Sequence, residues 1–542
     1  MPICATSPTK GQRRKSTAPA RRATPGSSKP PSTVRYGPSA STGRTETTLP
    51  MKKPTRSVRL LVVALALGLL PSAVAAEVHQ ATGFKVVNVT STAADIWTRV
   101  TLRAAANPAD APLPRVEAFE VKTGKPVALR DNRAFPDARI VVHMPDGLEL
   151  GAAAGAAPAA TGQTRVRYRV KGATAWSETP WQEAKLERDG IVLHALSALV
   201  PAARYELVVE ARGQAEGRRP NEQSGEFKTA PPPEQRERVV FSIATCQSYE
   251  RLDRPGGLAI YPAMAALQPD FFVHTGDAVY YDQGAVLALT PALARYHWAR
   301  MYALPTLRDF HRSFSSFFMK DDHDTLLNDC GPATRSGELT YADGARLFRE
   351  QTGLPETAYR TFRWGHDLQV WLMEGRDFRT PDWQEKSTSA PTLWGREQIK
   401  WLGETLGAST ATFRVIITSV PVVGPDRSNK DDNYANAGFA VEGNEIRELL
   451  ARYPNLTVIT GDRHWQYVSV DPATSVQEWS VGPSSAYRAG GWDEETPRPE
   501  HRFLRTGHGG FLSGVVTPTA TGASLEIRLH DVDGGVVYRE LK

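Results

Sequence analysis

Cysteine is nearly absent: Cys4, Cys246 and Cys330 are the only three in 542 residues. That excludes a small fold stapled by a disulfide framework, and without a short-spaced cluster of thiols and imidazoles it argues against a structural zinc site. Long apolar runs are missing too. The run Leu60 to Leu70 has eleven residues, about half of the ~20 a helix needs to span a bilayer, so no transmembrane anchor is expected. No fixed-period repeat is visible. Acids are missing from the start of the chain, where residues 1–76 hold 13 of the 65 Lys and Arg but a single acid, Glu46. The remainder carries 52 basic against 58 acidic residues. The formal net charge of +6 therefore does not describe a basic body, and no nucleic-acid partner is expected.

What is present is the composition of a globular chain, 41% hydrophobic and 23% charged, with room for two or three domains. Residues 1–50 are rich in Ser, Thr, Pro, Arg and Lys and read as a disordered basic leader, or as a stretch ahead of a true start at Met51. From Met51 the order is Lys52, Lys53, Arg56 and Arg59, the apolar run, then Pro71-Ser72-Ala73-Val74-Ala75-Ala76. This is the pattern of a signal peptide over 51–76, cleaved near Ala75 or Ala76, and it implies a secreted or periplasmic protein.

Thr229-Ala230-Pro231-Pro232-Pro233 divides the remainder. Before it, stretches such as Phe84 to Val89, Thr164 to Val170, Ile191 to Leu196 and Tyr205 to Ala211 alternate like strands. They predict an all-β sandwich of fibronectin or immunoglobulin type over 77–230, with a tyrosine-corner-like approach to Tyr205. After it, over 238–542, strands alternate with helical patterns, which predicts an α/β sandwich.

In such sheets polar chemistry gathers beyond the carboxyl ends of strands. Four strand ends here lead into polar clusters: Cys246; Gly276-Asp277-Ala278-Val279-Tyr280; Asp321-Asp322-His323-Asp324; and Gly461-Asp462-Arg463-His464. A single Asp after a strand is ordinarily a turn former or a helix cap. Several carboxylates brought together by four converging polar clusters would repel one another unless a cation neutralised them, so a metal is expected. Carboxylates and a phenol suit hard cations, whereas Cys246 and an imidazole add a softer component. Two unlike metals sharing Asp277 fit this mixture. The competing reading of Cys246 and Cys330 is a disulfide.

These residues resemble the alkaline phosphatase D (PhoD-like) family of calcineurin-like metallophosphoesterases. The resemblance rests on Thr245-Cys246-Gln247, Gly276-Asp277-x-x-Tyr280, Asp321-Asp322-His323-Asp324 with Asn328 and Asp329, Gly461-Asp462-x-His464, and Leu393-Trp394-Gly395-Arg396-Glu397-Gln398. It implies a four-layer calcineurin-like α/β sandwich preceded by the fibronectin-like domain. It also implies Fe(III) held by Cys246, Asp277 and Tyr280, and a second metal, often Ca(II), sharing Asp277 and bound through Asp322. Asp462 and His464 complete the two sites, and Asn328 is a ligand or a phosphate contact. His323 falls where the wider superfamily has a catalytic histidine beside the phosphate. Arg376 and Arg379, just beyond a strand, are candidate phosphate-binding groups. Two departures from the wider superfamily, the missing Asp-x-His before Cys246 and the missing histidine at Thr418-Ser419-Val420-Pro421, are shared by the PhoD-like branch.

The implied activity is metal-dependent hydrolysis of phosphate esters by a monomer. Phosphodiester substrates such as teichoic acid, nucleotides or phospholipid head groups form one alternative. A non-catalytic exported binding protein, with Cys246 tied to Cys330, is another. His274, His297, His311 and His366 read as structural, and His508, between glycines, is left open.

Overall fold

Among the described residues, six α-helices and two large sheets arise from segments whose burial follows their period. A computed structural model describes residues 77–213, 219–380, 391–430, 432–492 and 497–542. The basic leader and the signal segment lie outside the described residues.

The first sheet has nine strands. In chain order these are β1 (Phe84–Val87), β2 (Ala94–Arg99), β3 (Ile191–Leu196), β4 (Val239–Ala244), β5 (Phe271–His274) and β6 (Ser315–Phe318), followed near the C-terminus by three more. The second sheet has seven: β7 (Arg360–Trp364), β8 (Leu368–Leu372), β9 (Phe413–Thr418), β10 (Leu456–Thr460), β11 (Gln466–Val470), β12 (Gln477–Ser480) and β13 (His501–Arg505). The C-terminal strands β14 (Gly510–Pro518), β15 (Ala523–Asp531) and β16 (Val536–Leu541) complete the first sheet. Its order is β16-β15-β14-β4-β5-β6-β1-β2-β3, and that of the second is β7-β8-β9-β10-β12-β11-β13. Strands β4, β5 and β6 run parallel, as do β8, β9, β10 and β12.

Alternation along the central strands makes the layers. Phe271 and Val273 face the core between the sheets, where they meet Val415, Ile417 and Ile459, while Phe272 faces the opposite way. That outer face is covered by α1 (Ile260–Ala266), α2 (Pro291–Tyr302), α3 (Pro305–His311) and α4 (Tyr341–Thr352). On the far side Ile416 and Val458 pack against α5 (Arg396–Ala408) and α6 (Ala440–Leu450). The result is the expected four-layer α/β/β/α sandwich. Strands buried on both faces read as continuous apolar runs, which is why Val239–Ala244 is wholly buried. Thr340 and Asp343 form a capping box at the start of α4, and Gly353, at φ +70°, ends it. Among the described residues, no helix is long and apolar enough to cross a membrane.

The N-terminal part differs from a separate sandwich. Residues 77–213 and 219–230 hold only strands and single 3-10 turns, and the hydroxyl of Tyr205 accepts from the Val200 N–H at 2.8 Å. However, β1 pairs in parallel with β6, so β1, β2 and β3 extend the first sheet. Strands Gly162–Val170, Arg204–Arg212 and Asn221–Lys228 lie in a further sheet, whose Val166, Leu207, Val209 and Phe227 share one core with Phe84, Ile96 and the strands of both large sheets. The proline-rich stretch is no seam. Thr229 and Ala230 are fully buried, and the Thr229 hydroxyl donates to Val200 O at 2.7 Å. In sequence, a strand buried on both faces at a shared sheet looks the same as one inside a closed sandwich.

Candidate metal centre

Four strand ends supply the centre, and short backbone bonds fix their loops to one another. After β4, Cys246 N donates to Gly276 O (3.2 Å) and Gln247 N to Asp277 O (3.0 Å). Beyond β6, Asp324 spans two loops, accepting from Asp321 N (2.8 Å) and from Ala278 N (2.9 Å). Asp462 N donates to the hydroxyl of Thr245 (3.4 Å), which ties the second sheet to the first. Two glycines make this closeness feasible. A Cβ on Gly276, at φ +111°, would lie 2.5 Å from Asp321 Cβ, and one on Gly461 would lie 2.4 Å from Thr275 Oγ1. Cys246, Asp277 and Asp462 themselves adopt left-handed φ of 52°, 58° and 58°. That conformation is uncommon outside glycine and is held where surrounding structure over-determines it.

The donors converge as two groups that share one carboxylate. Donor atoms of Cys246, Asp277 and His464 lie within 4.8 Å of one another, as do those of Asp277, Asp322 and His323. Cys246 Sγ is 3.5 Å from Asp277 Oδ2. The Tyr280 hydroxyl lies 2.9 Å from the same oxygen and 3.5 Å from His464 Nε2. Further groupings join Asp277 with Asp321 and Asp462, and Asp322 with Asp329 and Asp432.

The electrostatics of this cluster fit a bound cation. Burial pushes Asp277 up to about 8, with His323 opposing the shift and Asp322 among the carboxylates that add to it. Burial also raises Asp321, Asp324 and Asp462. Cys246 is raised well above its usual range by burial and then by Asp277 and Asp462, whereas burial keeps His464 neutral. Asp277 Oδ1 and Asp321 Oδ2 are buried without a hydrogen-bond partner among the described residues. Acids that resist ionisation, orphaned oxygens and a neutral imidazole are what a metal would satisfy.

The remaining candidates take distinct places. His323 Nδ1 is 2.7 Å from Asp282 Oδ1. Burial opposes its charge, but Asp282, Asp322 and Asp277 together hold it well above the ordinary imidazole range. Asn328 joins through its backbone, whose N–H donates to Asp282 Oδ2 at 2.8 Å. Arg376 is 0% exposed and sits behind the carboxylates, with Nε 2.5 Å from Asp321 Oδ1 and Nη2 3.6 Å from both Asp322 and Asp432. Arg379 donates to the carbonyl of Asp329. Cys246 and Cys330 are both free, and Cys330 Sγ lies 3.4 Å from Asp322 O, so the disulfide reading does not hold. His274, His297 and His311 are buried, and His508 is exposed.

Sequence reasoning missed Asp282, Asp432 and Arg488. Asp282 had a signal, since it stands two residues after Tyr280 in the same strand-end loop. Asp432, 1% exposed and 3.1 Å from Arg463 Nη2, had none. Arg488, whose guanidinium carbon is 4.1 Å from the centre of the Tyr280 ring, had none either.

Residues 241–489 match the family model described as PhoD-like phosphatase. Alkaline phosphatase D of Bacillus subtilis (strain 168) is 23% identical over 290 residues, 45% of this chain and 49% of the relative. The match thus spans about half the length of that curated relative. A solved structure of PhoD superposes with a TM-score of 0.63 at 16% identity, covering 87% of this chain and 90% of that one. Purple acid phosphatase PPD1 from yellow lupin (Lupinus luteus) seeds gives a TM-score of 0.51 at 13% identity over 82% and 79%. At these identities the two structural likenesses show a shared fold.

Proposed function

Because residues 241–489 match the family model of PhoD-like phosphatases, we propose that this protein is an exported metal-dependent hydrolase of phosphate esters. One observation carries the reading: Asp277 is grouped with Cys246 and His464 on one side and with Asp322, and again with Asp462, on the other, so a single carboxylate joins a softer and a harder set of donors. Cys246, Asp277, Tyr280 and His464 would hold the softer ion, which we assign as Fe(III). Asp277, Asp322 and Asp462 would hold the harder one, assigned as Ca(II). When bound, the ions supply Lewis acidity toward the phosphoryl oxygens and the attacking water.

The chain's own residues do the rest. Asp282 fixes the His323 ring and favours its protonated form, so its free N–H edge can deliver a proton to the leaving oxygen. Arg376 holds Asp321 and Asp322 in place and is a positioning residue in this reading. Support for export comes from the Lys52 to Ala76 pattern, with cleavage near Ala75 or Ala76 and action as a monomer in the secreted or periplasmic space.

The test is hydrolysis of aryl phosphates by the full chain loaded with iron and calcium, with metal analysis alongside. Activity lost on chelation and restored by both ions is expected, as is loss of bound iron in Cys246→Ser. An active protein that retains iron in Cys246→Ser would overturn the ligand assignment, and inactivity on every ester would overturn the enzyme reading.

A further inference from the structure

The cations around the centre are not equivalent. Arg376 and Arg463 are 0% and 1% exposed and sealed behind carboxylates, Arg463 Nη2 lying 2.5 Å from Asp426 Oδ2. Lys430 Nζ is 2.8 Å from Asp329 Oδ1. These groups balance the charge of the acids.

Arg488 is placed differently. It closes the short turn Ala486–Arg488, which is bolted to the Cys246 loop: Ser484 Oγ donates to Thr245 O at 2.6 Å and Ser485 Oγ to Arg251 O at 2.7 Å. Its guanidinium lies over the Tyr280 ring, and its charge acts on Cys246, Tyr280 and His464 together. It forms no ion pair with a carboxylate among the described residues; it hydrogen-bonds the Tyr280 side chain, and its buried Nε has no hydrogen-bond partner. The side chain is half-buried, beside Tyr487, which is 65% exposed. A guanidinium fixed over Tyr280, beside the Cys246 half of the site and with its Nε donor unspent, is suited to an anionic oxygen of a ligand.

We propose that Arg488 is a substrate-binding residue that takes a non-bridging phosphoryl oxygen and so makes the site prefer phosphate monoesters to diesters. This rests on the phosphoesterase reading. A monoester dianion offers an additional charged oxygen to the guanidinium. In a diester a carbon substituent takes that oxygen's place, which removes the charge and needs room where Arg488 lies.

Arg488→Ala and Arg488→Lys in the metal-loaded full chain test it, with 4-nitrophenyl phosphate, bis(4-nitrophenyl) phosphate and inorganic phosphate as probes. In Arg488→Ala, kcat/KM for the monoester should fall about 100-fold, that for the diester much less, and inhibition by phosphate should weaken in parallel. Arg488→Lys should recover part of the monoester rate. Metal content should stay unchanged. Equal losses on both esters, or unchanged inhibition by phosphate, would overturn the proposal and leave Arg488 as a prop for Tyr280. If the wild type cleaves neither ester, the phosphoesterase reading falls. Direct calorimetric binding of phosphate to the loaded wild type and to Arg488→Ala then decides the role of Arg488, with equal affinities counting against it.

Discussion

A single side chain, Asp282, separates two explanations of His323. If His323 only fills space beside Tyr280, whose ring centre is 4.5 Å from its own, replacing Asp282 alters little chemistry. If it donates a proton, Asp282→Asn removes the charge that holds the ring protonated and fixed at 2.7 Å. We expect kcat to fall about 100-fold with KM nearly constant, and the loss should be smaller for an aryl ester with a good leaving group than for phenyl phosphate. Equal losses across leaving groups would reject the proton-donor role. A second residue sets acid sensitivity far from the centre. His194 is 0% exposed, and its ring nitrogens are 2.9 Å from Thr164 Oγ1 and 3.1 Å from Gln182 Nε2. Burial lowers its pKa to about 4. The unfolded chain therefore binds a proton there before the folded one does, and stability present above pH ~6.5 is lost as the pH falls toward 4, by up to about 3 kcal/mol. Urea titrations across that window should show a shallower loss for His194→Gln than for the wild type.

Among the elements, those that carry the centre were the most legible in sequence, together with α1, α5 and α6, and the helices α2, α3 and α4 the least. β4, β5, β6 and β10 announce themselves as short apolar runs that end in polar clusters, so seven residues that the structure brings together in the candidate centre, Cys246, Asp277, Tyr280, Asp322, His323, Asp462 and His464, were readable from the sequence. α2 was not, because nine of its twelve residues are buried, Leu293 to Tyr302 almost without a break. A helix covered on nearly every side loses the apolar stripe that reveals it. α4 does carry a signal, Thr340 with Asp343 and then Gly353. Arg488 was invisible for another reason: its partner, Tyr280, is more than two hundred residues away in the chain. The turn between β5 and Asp277 also shows how little slack the elements leave. Gly276→Ala adds a Cβ 2.9 Å from Asp321 N at a φ of +111°. The backbone must move or bear the strain, at roughly 2–5 kcal/mol. A melting temperature lowered by several degrees together with reduced metal content is expected, and an unchanged melting temperature would contradict this account of the turn.

For the molecule as a whole, the question is whether the N-terminal strands are an appendage or part of the body that holds the centre. The described residues from Glu77 to Lys542 fall in one compact unit, and the bonds across the supposed boundary explain why. Lys85, fully buried between Trp97 and Tyr302, donates to Gln351 O at 2.7 Å. Trp97 Nε1 donates to Glu350 O and Asn88 Nδ2 to Gly353 O, each at 2.8 Å. Gln351 reaches back to Asp189 at 3.0 Å. Each of these ties β1, β2 or the loop before β3 to α4 or its C-cap, and α4 begins shortly after the Asp321 to Asp329 segment. Removing residues 77–230 would expose the edge of β6 and one face of Phe317 and Met319, and strip partners from the end of α4. Burial of a side chain of that size is worth about 1.5–3 kcal/mol, so a few such losses match the whole stability of an ordinary domain. A fragment of residues 231–542 is therefore expected to lack a cooperative thermal transition and to bind no metal, whereas the chain from Glu77 onward should melt in a single step with the centre intact. A fragment that melts cooperatively and retains iron would show that the sheet shared between the two parts is not needed to hold the site.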